Sequence, residues 1–266
     1  MRSLFCLGLF LIISVAAYGQ TSTATYTLTF ESTWSETTHP DDFPPNPHFS
    51  GLIGGAHNSE ASVWMPGELA SPGIESMAET GSKTLLEGEV NDMITAGTAF
   101  EVISGGGIPL SPGSVSVSFD VNTDYPLVSV VSMVAPSPDW FVGVYDLSLY
   151  ESDEWIDELE ITLYVYDSGT DSGTMYTSPD EDTQPPEPIF LITGYPFVYD
   201  NELRPVGTFE FVLDKVVDIV DETPIAASLH LSSPRPNPTS GIAELDVSIP
   251  RTSQLLVEVF DLLGRR

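Results

Sequence analysis

SVSVSFDV, residues 114–121, alternates polar and apolar side chains without a break. At the two-residue period of a strand this places Val115, Val117, Phe119 and Val121 on one face and the small polar residues on the other. LVSVVSMV, residues 127–134, follows after a short turn and is almost continuously apolar, as a strand covered on both faces would be. Upstream, TYTLTFE at 25–31 alternates in the manner of a sheet edge. Downstream, 141–149, 159–166 and 207–214 carry further strand patterns, with glycine- and proline-rich turns between them. Many short strands joined by local turns predict a mainly β protein, an antiparallel β-sandwich.

One or two short helices fall inside a long insertion. Ser71 is a capping residue and Pro72 suits the first helical position. Ile74, Met77 and Ala78 then share a face, and Gly81 stops the turn. A second stretch carries Leu85, Leu86, Val90, Met93 and Ile94 at helical spacing and ends at Gly97. Residues 36–58, rich in His, Pro, Asn and Gly, read as an ordered loop.

The two ends differ from this body. Arg2 followed by the apolar run Leu4–Ala17 and the small residues around Gly19 reads as an export signal over residues 1–19. Cys6, the single cysteine, lies inside it, so the mature chain would have neither disulfide nor thiolate metal site and must stand on a hydrophobic core. Residues 216–232 are acidic and then Ser-rich, as a linker would be, and 233–266 hold two alternating strands, Ile242–Ile249 and Leu255–Leu262. Two strands are marginal alone, so this last unit reads as incomplete.

Thirty-nine acids stand against eight bases, a net charge of −31, and Lys83 is the only Lys or Arg between Arg2 and Arg204. Such a chain cannot neutralise phosphates, which makes nucleic acid and anionic membrane surfaces poor partners. Cation binding and a plainly solvated acidic surface are both consistent with it.

The segment from Ala135 to Pro179 closely resembles the core of the spondin domain of F-spondin and mindin, above all in Pro136-Ser-Pro-Asp-Trp-Phe-Val-Gly143 and Tyr166-Asp-Ser-Gly-Thr-Asp-Ser-Gly173. Trp34, Thr38-His39-Pro40, Asp42, Phe43-Pro44, His48, Gly54-Gly55-Ala56-His57 and SPGIESMAETGS at 71–82 carry the likeness upstream, so that it spans about 24–215. Pro236-Asn-Pro-Thr-Ser-Gly241 and Val259-Phe-Asp-Leu-Leu-Gly-Arg265 resemble the C-terminal sorting domain of bacterial type IX secretion. The first resemblance implies a β-sandwich with a metal at one end and an extracellular adhesive role. The second implies export or surface attachment.

Spondin domains place metal-binding carboxylates at the positions of Asp120, Asp139, Asp167 and Asp171. The residues themselves allow it. Asp139 follows Pro-Ser-Pro in a loop, Asp167 and Asp171 flank a Ser-Gly-Thr turn, and Asp120 faces away from the apolar stripe of its strand. Carboxylates from separate strand ends can converge at one tip of a sandwich, and an all-oxygen set suits Ca²⁺. The competing reading is that these are turn aspartates bonding their own backbone.

Other groupings point less far. His39, His48 and His57 could form a zinc site, but loops carry them and they suit hydrogen bonds that hold the long loop. Trp140, Phe141 and Trp155 could stack a sugar or fill the core. Asp153, Glu154, Asp157, Glu158 and Glu160 form an acidic run with no pair fixed for glycoside hydrolysis. The expected protein is therefore not an enzyme. It is a secreted or surface-attached, monomeric calcium-binding adhesion module with an extracellular protein or glycan as partner and no membrane insertion. The alternative is a metal-dependent hydrolase acting on glycans.

Overall fold

The computed structural model describes residues 21–218 throughout, together with 10–17, 230–233, 235, 244, 246–248 and 253–260. The chain divides into two compact units, Thr21–Asp218 and a second formed by Met1–Gln20 with Ile219–Arg266. In the second unit Phe10–Ala17 pairs antiparallel with Ser253–Phe260, and His230–Leu231 with Val247–Ser248. Most of the expected signal, the core of the linker and much of the sorting segment lie outside the described residues.

The unit Thr21–Asp218 is an antiparallel β-sandwich. Its strands are β1 (Ser22–Ser32), β2 (His48–Phe49), β3 (Ile53–His57), β4 (Ala99–Ser104), β5 (Gly113–Asn122), β6 (Leu127–Ala135), β7 (Trp140–Ser148), β8 (Glu158–Leu163), β9 (Tyr166–Asp167), β10 (Phe190–Leu191) and β11 (Gly207–Asp218). One sheet runs β8-β11-β1-β5. The other runs β10-β9-β7-β6-β3-β4, with β2 also pairing β6. Two short hairpins, Tyr150–Glu151 with Glu154–Trp155 and Val198–Tyr199 with Glu202–Leu203, lie outside both sheets.

The alternation read from the sequence sets the inner faces. Ala24, Tyr26, Leu28 and Phe30 of β1 are wholly buried, as are Phe209 and Phe211 of β11. Phe30 meets Phe49 and Phe209 edge to face at 4.7 and 5.1 Å, a geometry that adds about 0.5–1.5 kcal/mol per pair beyond burial. β1 is an inner strand, flanked by β11 and β5, and not the sheet edge expected of 25–31. Alternation reports that one face is buried; it carries no information on how many neighbours a strand has.

β6 is covered on both faces, as its apolar run implies. Val128, Val130 and Val134 face the inter-sheet core, while Val131, Met133 and Ala135 face a second core under the helices. Helix α1 (Pro72–Thr80) and helix α2 (Thr84–Ala96) form that outer layer. The Ser71 hydroxyl accepts the Ile74 N–H, and Gly81 closes α1 in the left-handed conformation with its N–H on Met77 O. Leu86 and Val90 of α2 are buried, whereas Leu85 is 52% exposed and falls off the expected stripe. Glu89 joins the two helices by accepting from Ser71 Oγ (2.6 Å) and Gly73 N–H (2.7 Å) at the α1 N-terminus.

Two elements depart from expectation and both shape the site. Residues 53–57, expected in a loop, form β3, fully buried between β6 and β4. Residues 159–166, expected as one strand, are two elements in different sheets: β8 ends at Leu163, and the chain crosses over to lay β9 against β7.

Candidate metal centre

The crossover delivers Asp167 to its place. β9 pairs with β7 so that Asp167 stands opposite Trp140, the residue after Asp139. Asp139 itself sits at the base of β7, below the Pro136-Ser-Pro138 turn, where Ser137 Oγ accepts the Trp140 N–H at 3.1 Å. The chain after Asp167 then wraps around Asp139. Oδ2 of Asp139 accepts from Ser168 Oγ (2.9 Å), Thr170 N–H (2.8 Å) and Asp171 N–H (3.1 Å). Gly169 makes the wrap possible: its φ is +75°, and a Cβ there would lie 2.1 Å from Glu187 O.

Asp139 is completely buried, and its other oxygen, Oδ1, has no hydrogen-bond partner. Asp167 accepts from Gly169 N–H through Oδ1 (2.9 Å) and from the Trp140 indole through Oδ2 (3.2 Å). Asp171 accepts from Gly173 N–H (2.6 Å) and Glu181 N–H (2.8 Å), so it serves its own turn. Glu79, near the end of α1, is a further carboxylate whose charge interacts with Asp139 and Asp171. Sequence reasoning missed it. Its only signal was its place in SPGIESMAETGS, five residues beyond the buried Ile74.

The electrostatics follow from burial. Desolvation raises the Asp139 carboxyl above the usual range, against three hydrogen bonds that favour the anion, and the Asp171 charge raises it further. Asp167 is pushed up to about 7, first by burial and then by the Asp139 charge. Glu79 is raised by burial, and the charges of Glu75, Asp139 and Asp171 add to this. Without a cation the surroundings therefore favour proton uptake by these carboxylates over full ionisation.

Asp120 is not brought to this cluster. It lies on the outer face of β5 opposite Thr25, whose hydroxyl it accepts, and its N–H donates to Glu101 Oε2 at 2.8 Å. β5 runs past Asp120 to Asn122 and the turn into the start of β6, whereas Asp139 follows the far end of β6 at Ala135. The alternation gives the face of Asp120 correctly but not the end of the sandwich. Among the described residues no three His, Cys, Asp or Glu side chains are arranged to close on one ion. Asp139 Oδ1 and Asp167 are the carboxylate groups here that could hold a hard cation, and the other oxygens of a six- to eight-fold shell would have to come from backbone carbonyls or water.

The remaining candidates resolve into structural roles. His39 bonds Thr38 Oγ1 (3.0 Å) and Arg204 O (3.4 Å), and His48 bonds Asn46 O (2.9 Å). His57 bonds Asn58 O (3.0 Å) and Ser129 Oγ (2.8 Å). His57 and Ser129 are both fully buried, so this Ser–His contact, with Asp146 at 3.6 Å, offers no surface to a substrate. Trp140 and Phe141 are core residues, and Trp155 packs against that core. Asp153, Glu154, Asp157, Glu158 and Glu160 are exposed along a hairpin and strand.

The Spondin_N family profile matches residues 24–201. Human spondin-2 is 37% identical over 178 residues, covering 64% of this chain and 53% of that protein. Spondin-2 of Rattus norvegicus is 36% identical over the same length. Spondin-1 of Gallus gallus is 36% identical over 181 residues, 65% of this chain and 22% of that protein. The chain thus matches about half the length of spondin-2 and about a fifth of spondin-1. By sequence over this span, the chain belongs to the Spondin_N family.

Proposed function

We propose that this chain is an extracellular binding module of the adhesive type, and that its spondin domain takes up Ca²⁺ through Asp139 and Asp167. The observation that carries the calcium reading is the Asp139 carboxylate. It is fully buried, and donors from Ser168, Thr170 and Asp171 converge on one oxygen, while the other oxygen has no partner. A buried acceptor left open costs about 1–3 kcal/mol, and a cation beside it would recover that and offset the repulsion from Asp167 and Glu79. The ion's role is then to fix the 167–173 loop that wraps Asp139. Asp171 supports that loop through its own turn, and Asp120 lies apart from it.

The extracellular assignment rests on the family and on the apolar run Leu4–Ala17. The resemblance of 236–241 and 259–265 to a type IX sorting domain supports export or surface attachment as the task of 233–266. The module's partner is an extracellular protein or glycan.

The test is thermal unfolding in millimolar Ca²⁺ and in excess chelator at one ionic strength, because salt alone screens a chain of net charge −31. A ligand at about a hundredfold its Kd stabilises by roughly 2.7 kcal/mol, or about 5–10 °C for a domain of this size. Asp139→Asn and Asp167→Asn should abolish that gain, and Asp153→Asn and Asp120→Asn should keep it. Equal melting temperatures with and without calcium would overturn the reading.

A further inference from the structure

β5 forms one edge of the four-stranded sheet and β8 the other. β5 pairs only with β1, over Gly113–Asn122. The Asp120 N–H points away from β1, because it donates to Glu101 Oε2 at 2.8 Å. Backbone groups alternate sides along a strand, so those of Ser114, Ser116 and Ser118 point away from β1 as well. Among the described residues none of these three N–H and C=O pairs finds a partner within the chain.

The open stretch has definite ends. Asp120 is taken by Glu101, and Pro112 has no N–H to give. What remains runs from Ser114 to Ser118 and is centred on Ser116. All three serines are exposed, and residues 113–119 carry neither charge nor proline. The inner face of this stretch is unfinished too: Val115 and Val117 pack against the inter-sheet core but are only partly buried, unlike Phe119 and Val121.

Sheets ordinarily blunt such an edge with charge, proline or a bulge. β8 is blunted in this way. Asp157 O accepts the Leu213 N–H, so Glu158, Glu160 and Thr162 turn their backbone groups outward, and both glutamates are exposed there. In a chain of net charge −31, the uncharged β5 edge is where two copies meet with the least repulsion.

We infer that the β5 edge pairs with the same edge of a second copy of this chain, antiparallel about a two-fold axis at Ser116. The stretch is self-complementary in that register. Ser116 faces Ser116 of the second copy, Ser114 faces Ser118, and about six N–H···O bonds complete the ladder. Val115 meets Val117 of the second copy on the inner face and each covers the other's open side. The same operation on β8 would set Glu160 against Glu160. The contact is small, so the dimer is weak and strengthened by salt. The monomer expected from the sequence changes accordingly, because alternation shows the faces of β5 and not its unpaired edge. Asp139 precedes β7 and Asp167 lies in β9, both in the other sheet, so the inference is independent of the calcium reading.

The experiment is sedimentation of the full chain up to about 1 mM, since interfaces below about 1,200 Å² belong to the weak class. A reversible dimer should appear, and association should tighten at least about threefold between about 0.15 M and 1 M salt as screening shortens. Ser116→Glu sets like charges directly opposite and should weaken association at least about tenfold. Its melting temperature in dilute solution should stay level, because the site is exposed. In a Cys6→Ser background, Ser116→Cys should form a dimeric disulfide at least about tenfold faster than Thr162→Cys on β8, since a Cα separation of about 5.5 Å across the axis suits the bond. Asp139→Asn should leave association unchanged. A monomer at the highest concentration in both salts, association unaltered by Ser116→Glu, or equal disulfide rates at 116 and 162 would each overturn the inference.

Discussion

Asp139 and Asp167 are two carboxylates placed side by side by a strand pairing, and burial raises both. The 168–171 loop gives Asp139 donors for its charged form, while burial and that same charge raise Asp167 to about 7. The consequence for stability can be signed. The Asp167 pKa is higher folded than unfolded, where it is about 3.9, so the folded state binds more protons between those values. In chelator, its contribution is therefore full below about pH 4 and is lost as pH rises through about 7. Wild type should lose melting temperature relative to Asp167→Asn across pH 4–7 in chelator, and thermal scans at fixed ionic strength would show it. Calcium should flatten this difference by favouring both carboxylates as anions. A parallel pH course for the two proteins in chelator would show that Asp167 titrates normally.

At the level of elements, what was legible followed from local rules. The α1 boundaries were readable because Ser71, Pro72 and Gly81 each satisfy a separate backbone requirement at a helix end. The β5 and β6 patterns were readable because strand faces alternate and because double burial leaves no room for charge. β3 was hidden because Ile53-Gly-Gly-Ala-His57 looks like a loop until its neighbours are known. A Cβ on Gly54 would lie 1.9 Å from Ser129 O, and one on Gly55 would lie 2.7 Å from Val90 Cγ1. These glycines let β6 and α2 approach closely, a tertiary demand with no local signal. The break between β8 and β9 was hidden likewise, since changing sheets leaves the apolar run intact; the position of Asp167 beside Asp139 could therefore come only from the resemblance. Gly54→Ala should cost about 3 kcal/mol or more, as overpacking against backbone does. Gly88→Ala, exposed in α2 with nothing within 4 Å, should instead stabilise by about 0.4–1 kcal/mol. Urea unfolding of the pair checks this, and comparable losses at both sites would mean that β3 does not pack as described.

For the whole molecule, the decisive feature is where the sandwich ends along the chain. The likeness to spondin domains suggests a limit near residue 215 and a linker from 216, yet β11 continues through Val216, Val217 and Asp218, paired with Ala24, Thr23 and Ser22. Those last pairs hold the first residues of β1, the inner strand that carries Ala24 and Tyr26 into the core. Lys215, just past a register shift, is one of the few cations in an otherwise acidic chain. Thr21–Asp218 contains both sheets, both helices and the Asp139 cluster. A protein comprising residues 21–218 should therefore fold by itself, with the calcium-dependent gain in melting temperature intact. Ending it at 213 would remove Lys215, Val216, Val217 and Asp218 from the ladder and leave Ser22–Thr25 bonded on one side only. That truncation should lower the melting temperature by several degrees without abolishing the calcium response, because Asp139 and Asp167 belong to the other sheet. Thermal scans of both proteins with calcium and with chelator measure each quantity separately. Failure of residues 21–218 to unfold cooperatively would show that the sandwich depends on residues beyond Asp218.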